Sequence, residues 1–261
     1  MTASERLIVE REGAVGWITF NNPARHNAMS MAMWEGLEAA VTRYTEDPEV
    51  RVIALRGAGG KAFVAGADIS EFESLGDRGH SMVDYERLAE RASSALERTP
   101  KPTIAMIRGY CIGGGLEIAL GCDLRIATDG SRFAIPAAKL GVGYGAPGLR
   151  KVIQTVGAAY TKEIFFTARQ LGADEALRIG LVNHVVPDAE LETVVGEYCE
   201  RIAANAPLTI HAVKRMVSEL ESAAPDLELC ARLVEACYES EDYVEGYRAF
   251  LEKRKPQFRG R

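Results

Sequence analysis

Three consecutive glycines, Gly113-Gly114-Gly115, lie between a β-prone run, Thr103 to Ile107, and the apolar stretch Leu116 to Leu120. A glycine inside a helix or strand costs roughly 0.5–1 kcal/mol relative to alanine, so three in a row mark a backbone that must approach something closely. A strand that ends in such a turn and restarts as a helix offers unsatisfied N–H groups where the helix dipole favours negative charge. The helix is apolar at Leu116, Ile118, Ala119 and Leu120, which leaves Glu117 as a carboxylate in an apolar setting. Such a group is costly unless it is paired or used. The plain alternative is a first-turn acid that complements the dipole.

A second small-residue turn, Phe63-Val64-Ala65-Gly66-Ala67-Asp68-Ile69, follows another β-prone run, Val50 to Leu55. Either turn alone is a weak signal. Together they can supply two backbone donors to one developing oxyanion, where a single donor is worth roughly 3–4 kcal/mol.

Upstream, Leu7 to Arg11 and Val15 to Phe20 read as a hairpin around Glu12-Gly13. Ser30 can cap a helix in which Met33, Leu37, Ala40, Val41 and Tyr44 recur on one face. After a polar stretch from Ile69 to Asp84, Leu88, Ala92 and Leu96 mark a helix that ends at Pro100 and Pro102. Strands at Leu124 to Ile126 and Phe133 to Ile135 continue an alternation of strand, strand and helix, so the class is α/β. From Asp188 the pattern is almost wholly helical, with Leu191, Val194, Val195, Tyr198 and Ile202 on one stripe and Pro207 opening a further helix. This predicts a core over residues 1–200 and a helical region over 201–261.

Composition excludes several classes. With 31 Lys+Arg against 37 Asp+Glu the formal charge is −6, which argues against a nucleic-acid partner. The five cysteines contain no CxxC pair, and the four histidines form no metal spacing, so no metal site is expected. Charges in Met1-Thr2-Ala3-Ser4-Glu5-Arg6 and the lack of a long charge-free run predict a cytoplasmic chain without a membrane span. Gly143-Tyr144-Gly145-Ala146-Pro147-Gly148 satisfies GxGxxG, but Pro147 occupies the turn and no acid follows at the required distance, so no nicotinamide site is expected.

Ordered along the chain, Asn22-Pro23-Ala24-Arg25-His26-Asn27-Ala28, Ala65-Gly66-Ala67-Asp68-Ile69, Lys101-Pro102, Gly113-Gly114-Gly115-Leu116-Glu117 and Ala249-Phe250-Leu251-Glu252-Lys253-Arg254 resemble the enoyl-CoA hydratase/isomerase, or crotonase, superfamily over nearly the whole length. The resemblance implies a crotonase-like spiral of ββα units with a C-terminal helical trimerisation region, assembled as a homotrimer or homohexamer. It implies an acyl-CoA substrate and no separate cofactor, coenzyme A being part of the substrate. By that likeness the N–H groups of Ala67 and Gly114 bind the thioester oxygen and Glu117 is a catalytic carboxylate. Ala65, Asp68 and Ile69 share the first donor turn as substrate-binding positions. Arg25 and Ala28 are placed for the nucleotide end, and Phe250 and Lys253 for the coenzyme A of a neighbouring subunit.

The chain departs from the hydratase pattern in one place. Family hydratases carry a second Glu after a Pro, whereas here Pro136 is followed by Ala137. Loss of one member of an acid/base pair costs about 10² to 10⁴ in rate. Downstream, Tyr144 replaces a common Pro, and Gly145 matches a position whose N–H helps hold the water. Tyr144 and the tail Ser240-Glu241-Asp242-Tyr243-Val244-Glu245-Gly246-Tyr247 also resemble the methylmalonyl-CoA decarboxylase branch, although an aromatic pocket wall explains Tyr144 equally. The expected function is enolate chemistry on an acyl-CoA, nominally enoyl-CoA hydration. Decarboxylation, double-bond isomerisation and non-catalytic acyl-CoA binding stand as alternatives. The stretch Phe72 to His80, with Gly76 and Gly79 as hinges, reads either as a lid over the acyl pocket or as a surface loop.

Overall fold

The computed structural model describes residues 3–71 and 81–261, so the candidate lid at Phe72 to His80 lies outside the described residues. A single helical turn, α1 (Ala3–Arg6), leads into β1 (Leu7–Glu12) and β2 (Val15–Phe20), which pair antiparallel in the expected hairpin. α2 (Met31–Glu46) starts where predicted, with the Met33 N–H donating to the Ser30 hydroxyl at 3.2 Å and Met33, Leu37, Ala40, Val41 and Tyr44 buried.

The chain then repeats one unit. β3 (Val52–Gly57) joins a first sheet and β4 (Ala62–Val64) a second, before α3 (Met82–Arg98). β5 (Thr103–Ile107), β6 (Tyr110–Ile112) and α4 (Gly114–Gly121) form the next turn, and β7 (Leu124–Thr128), β8 (Arg132–Ala134) and the short α5 (Ala137–Leu140) the third. α6 (Ala146–Thr167), β9 (Leu171–Gly172), α7 (Ala173–Arg178) and β10 (His184–Val186) close the two sheets. The six-stranded sheet has the order β1-β2-β3-β5-β7-β10 and is parallel from β2 onward; the four-stranded sheet has the order β4-β6-β8-β9, with only β9 antiparallel. Successive strand residues face opposite sides. Ile53, Leu55, Ala105 and Ile107 therefore enter the main core with α2, α3 and α4, while Val52, Ala54, Ile104 and Met106 face α8 (Leu191–Ala203) through Leu191, Val195 and Cys199.

α9 (Pro207–Leu220), α10 (Leu227–Tyr238) and α11 (Glu241–Glu252) complete the helical end, and residue 200 falls within α8. Two boundaries differ from expectation. The glycine run does not follow Thr103–Ile107 directly, because β6 intervenes in the second sheet. The polar stretch ends earlier, because Ser81 and Asp84 form a reciprocal capping box that starts α3 at Met82. The GxGxxG segment runs from α5 into α6 with Pro147 in the first helical turn and no strand before it. Among the described residues, no helix is long and apolar enough to cross a membrane.

Candidate active site

The parallel strands β4 and β6 end side by side, and each ends in one of the small-residue turns. After β4, the Met29 N–H donates to the Gly66 carbonyl and the Asp68 N–H to the Met29 carbonyl, both at 2.8 Å. These bonds pin the turn on both sides of Ala67, whose own N–H meets no acceptor among the described residues. After β6, the Gly113 N–H donates to the Ala134 carbonyl at 2.8 Å, and the Glu117 N–H donates to the Gly113 carbonyl at 3.0 Å as the first bond of α4. Gly114, the first helical residue, has no acceptor for its N–H among the described residues, as is usual at a helix start. Gly115 is needed for the close approach of α4 to β4, since a Cβ there would lie 2.1 Å from the Val64 carbonyl oxygen.

The far end of α4 is held by a residue the sequence reading did not single out. Buried Arg125 on β7 donates to the carbonyls of Cys122 at 2.7 Å, Ala119 at 3.3 Å and Leu181 at 2.8 Å. A guanidinium on the last carbonyls of a helix satisfies orphan acceptors and complements the dipole.

Between the two turns and α6 lies a cavity of about 310 Å³. Its wall includes Ala65, Ala67, Ile69, Gly114 and Glu117 from the donor side, and Ala137, Tyr144 and Gly145 opposite. Eight sequence-predicted positions thus come together around one space. Glu117 is half-buried at the wall of this cavity, and its carboxyl is pushed up to about 7, first by burial and then by Glu90, Glu86 and Glu97, with Lys151 acting in the opposite direction. A carboxyl poised there can both take and return a proton near neutral pH.

Tyr144 packs edge-on against Phe165, with ring centroids 4.8 Å apart, and over Gly148, where a Cβ would meet its Cε1 at 2.7 Å. Its hydroxyl is buried without a hydrogen-bond partner among the described residues, and burial pushes the phenol well above its ordinary value. It is therefore a neutral O–H with bonding capacity left over at the cavity wall. Ala137 brings only a methyl group to the same wall.

Five predicted positions lie elsewhere. Asp68 is buried and accepts from Arg25 at 2.8 Å and from the Ser70 hydroxyl at 2.6 Å, so Arg25 and Asp68 brace the first donor turn from outside the cavity. Ala28 is buried beside that turn. Phe250, 82% exposed, and Lys253, the C-cap of α11, lie on the helical end. Conversely, Glu86, Glu90 and Lys151 line the cavity unforeseen. Glu86 and Glu90 are four residues apart on the polar side of an amphipathic helix, a pattern that reads as a solvated face, and Lys151 follows the misleading GxGxxG. Among the described residues no group of three or more His, Cys, Asp or Glu is placed to hold a metal ion.

The family model described as "Enoyl-CoA hydratase/isomerase" matches residues 10–261. The chain is 36% identical over 254 residues to the short-chain-enoyl-CoA hydratase of Clostridium acetobutylicum, covering 95% of each protein. It is also 36% identical over 251 residues to the methylmalonyl-CoA decarboxylase of Escherichia coli, covering 94% of this chain and 95% of that protein. A solved structure described as an enoyl-CoA hydratase/carnithine racemase from Magnetospirillum magneticum superposes with a TM-score of 0.93 at 37% identity, covering 98% of this chain and 96% of that one.

Proposed function

Because this chain belongs to the enoyl-CoA hydratase/isomerase family, we propose that it is a lyase that adds water to a short 2-enoyl-CoA, with Glu117 as its proton carrier. The thioester oxygen accepts from the Ala67 and Gly114 N–H groups, which draws electron density from C3. A water whose proton passes to the Glu117 carboxylate attacks C3, and the charge that reaches the thioester oxygen is held by the two amides. Glu117 then returns the same proton to C2, so the O–H bond broken in water is replaced by a C–H bond and no other reactant is consumed. One carboxyl serves both steps because Ala137 brings no second one. The Tyr144 hydroxyl and the Gly145 N–H form the opposite wall, where the water is held. The observation that carries the reading is a half-buried carboxyl poised near neutrality in the first turn of the helix whose leading amide has no acceptor among the described residues.

Decarboxylation of a carboxylated acyl-CoA is the second reading, favoured by the unpartnered Tyr144 hydroxyl and the likeness to the Escherichia coli decarboxylase. Charge weighs against it. Among the described residues the cavity wall carries Glu86, Glu90 and Glu117 against Lys151 alone, and Lys151 already pairs with Glu97 at 2.7 Å. A carboxylated acyl group would enter a field of its own sign. Parallel incubation with crotonyl-CoA and methylmalonyl-CoA decides between them: turnover of the second alone overturns the hydratase reading. Crotonyl-CoA turnover that is unchanged in Glu117→Gln removes the proton carrier, and no turnover of either substrate, with binding retained, leaves an acyl-CoA binder.

We propose, further, a cytoplasmic enzyme that uses no cofactor beyond its substrate. We propose assembly as a trimer or hexamer through the helical end, where Tyr243, Tyr247, Phe250 and Leu251 are each more than half exposed. Phe250 and Lys253 would then meet the coenzyme A of a neighbouring subunit, with Arg25 and Ala28 toward its nucleotide.

A further inference from the structure

Behind the cavity wall, the Lys151 side chain, 12% exposed, donates from Nζ to the Glu97 carboxylate at 2.7 Å and to the Ser93 hydroxyl at 2.8 Å. Fully buried Ser93 in turn donates to the Glu117 backbone carbonyl at 3.3 Å. Three helices meet in this chain of contacts: α6 supplies Lys151, α3 supplies Ser93 and Glu97, and α4 supplies Glu117. An ammonium removed from water is costly unless it is paired, and this one is paired by a single carboxylate at its outer side while its inner side borders the cavity that Glu117 lines. Two of its three N–H donors are taken; the third has no partner among the described residues.

We propose that Lys151 is a positioning residue that fixes the charge state of Glu117, and that Glu97, by pairing with the ammonium, sets how much of its field reaches that carboxyl. The proposal rests on the reading of Glu117 as proton carrier and deepens it. Among the described residues, the groups facing Glu117 are Tyr85, Glu86, Glu90 and Glu97 from α3, Tyr144 from the loop before α6, and Lys151 from α6 itself. Of these Lys151 is the one cationic side chain, and it acts with the helix N-terminus to stabilise the carboxylate against burial and three like charges. A fully unpaired ammonium would shift Glu117 toward the ionised form and slow the return of a proton, whereas no ammonium would shift it toward the protonated form and slow its uptake. The Glu97 pairing holds the system between these limits.

The two partners of the ion pair should therefore shift Glu117 in opposite directions, which a tie that merely holds three helices together cannot do. Glu117 is titrated directly in the full-length protein by carbon-13 NMR of labelled Glu, assigned by difference from Glu117→Gln, in Lys151→Met, Lys151→Arg and Glu97→Gln. The expected midpoint rises by about one pH unit in Lys151→Met, stays within about 0.3 pH unit of wild type in Lys151→Arg, where the charge is kept, and falls in Glu97→Gln. The acid limb of the crotonyl-CoA pH profile moves in step. Shifts of the same sign in Lys151→Met and Glu97→Gln, or no shift in either, overturn the proposal. Should Lys151→Met fail to fold, an unchanged or raised midpoint in Glu97→Gln overturns it alone. Because the titration needs no substrate, failure of the hydratase reading would appear as absent turnover with these midpoint shifts intact.

Discussion

Replacing Glu117 by Gln should make the protein less active and, above neutral pH, more stable. In the folded chain the carboxyl is raised from its ordinary 4.5 to about 7. At about 1.4 kcal/mol per pH unit, that gap amounts to at most about 3–4 kcal/mol of folding free energy, which the partial exposure of the carboxyl reduces. The sign follows from which state holds the proton. Below about pH 4.5 both folded and unfolded chains are protonated and there is no penalty. Between 4.5 and 7 the unfolded chain releases its proton while the folded chain keeps it, so stability falls as pH rises; above 7 the full penalty is present. Gln is neutral throughout and keeps nearly the same shape. Urea unfolding of both proteins at pH 5 and pH 8 should give stabilities close together at pH 5 and a variant more stable by about 2–3 kcal/mol at pH 8. Other ionisable groups cancel in the difference, apart from Glu86, Glu90, Glu97 and Lys151, which couple to Glu117 directly. A difference that stays flat between the two pH values would refute the claim that burial raises this carboxyl. The same variant should lose about 10² to 10⁴ in kcat/KM for crotonyl-CoA, the usual worth of a positioned acid or base.

Further outcomes follow from the same geometry. In the wild type, kcat/KM for crotonyl-CoA should fall about tenfold per pH unit below the Glu117 midpoint near 7; a profile flat down to pH 5 would mean that Glu117 is not the base. Gly115→Ala puts a Cβ 2.1 Å from the Val64 oxygen, so α4 must move away from β4; thermal unfolding should show a loss of at least 1–3 kcal/mol, and an unchanged melting temperature would contradict the packing. Gly148→Ala displaces the Tyr144 ring and should change KM or kcat for crotonyl-CoA with secondary structure intact by circular dichroism. Ala137→Glu returns a second carboxyl to the wall and should raise crotonyl-CoA hydration at least about tenfold; no gain would show that the missing acid does not limit the rate.

The first hairpin, the Ser30-capped helix and the Thr103–Ile107 strand were legible because each carries a local signal: alternation, a cap, or a β-branched run before glycine. β4, β6 and β8 have three residues each, too few for any period to show. Hence the second sheet could be expected only as part of a repeated unit, and β6 was absorbed into the glycine turn. At the site, the donor turns and Glu117 were legible because glycine runs and an acid in an apolar helix are exceptions to local preference. Glu86, Glu90 and Lys151 were not, since each obeys the amphipathic pattern of its helix, and only the packing of both α3 and α6 against α4 turns those faces toward a shared space. Arg125 was hidden for a similar reason: its partners are carbonyls at the end of another element, which no side-chain motif records.

The parallel order β4-β6-β8 puts three strand ends in a row, one from each turn of the spiral. The first delivers Ala67 and the second Gly114, while the third delivers Pro136, which has no hydrogen on its nitrogen, followed by the methyl of Ala137. Of these three positions in register, the first two carry an N–H that can meet an oxygen, and the third, Pro136, carries none. In the proposed reading the repeat thus carries its own polarity: two of its strand ends fasten the thioester oxygen and the third brings a methyl group, so a change of chemistry in this chain need only rewrite the third position and leave the grip alone.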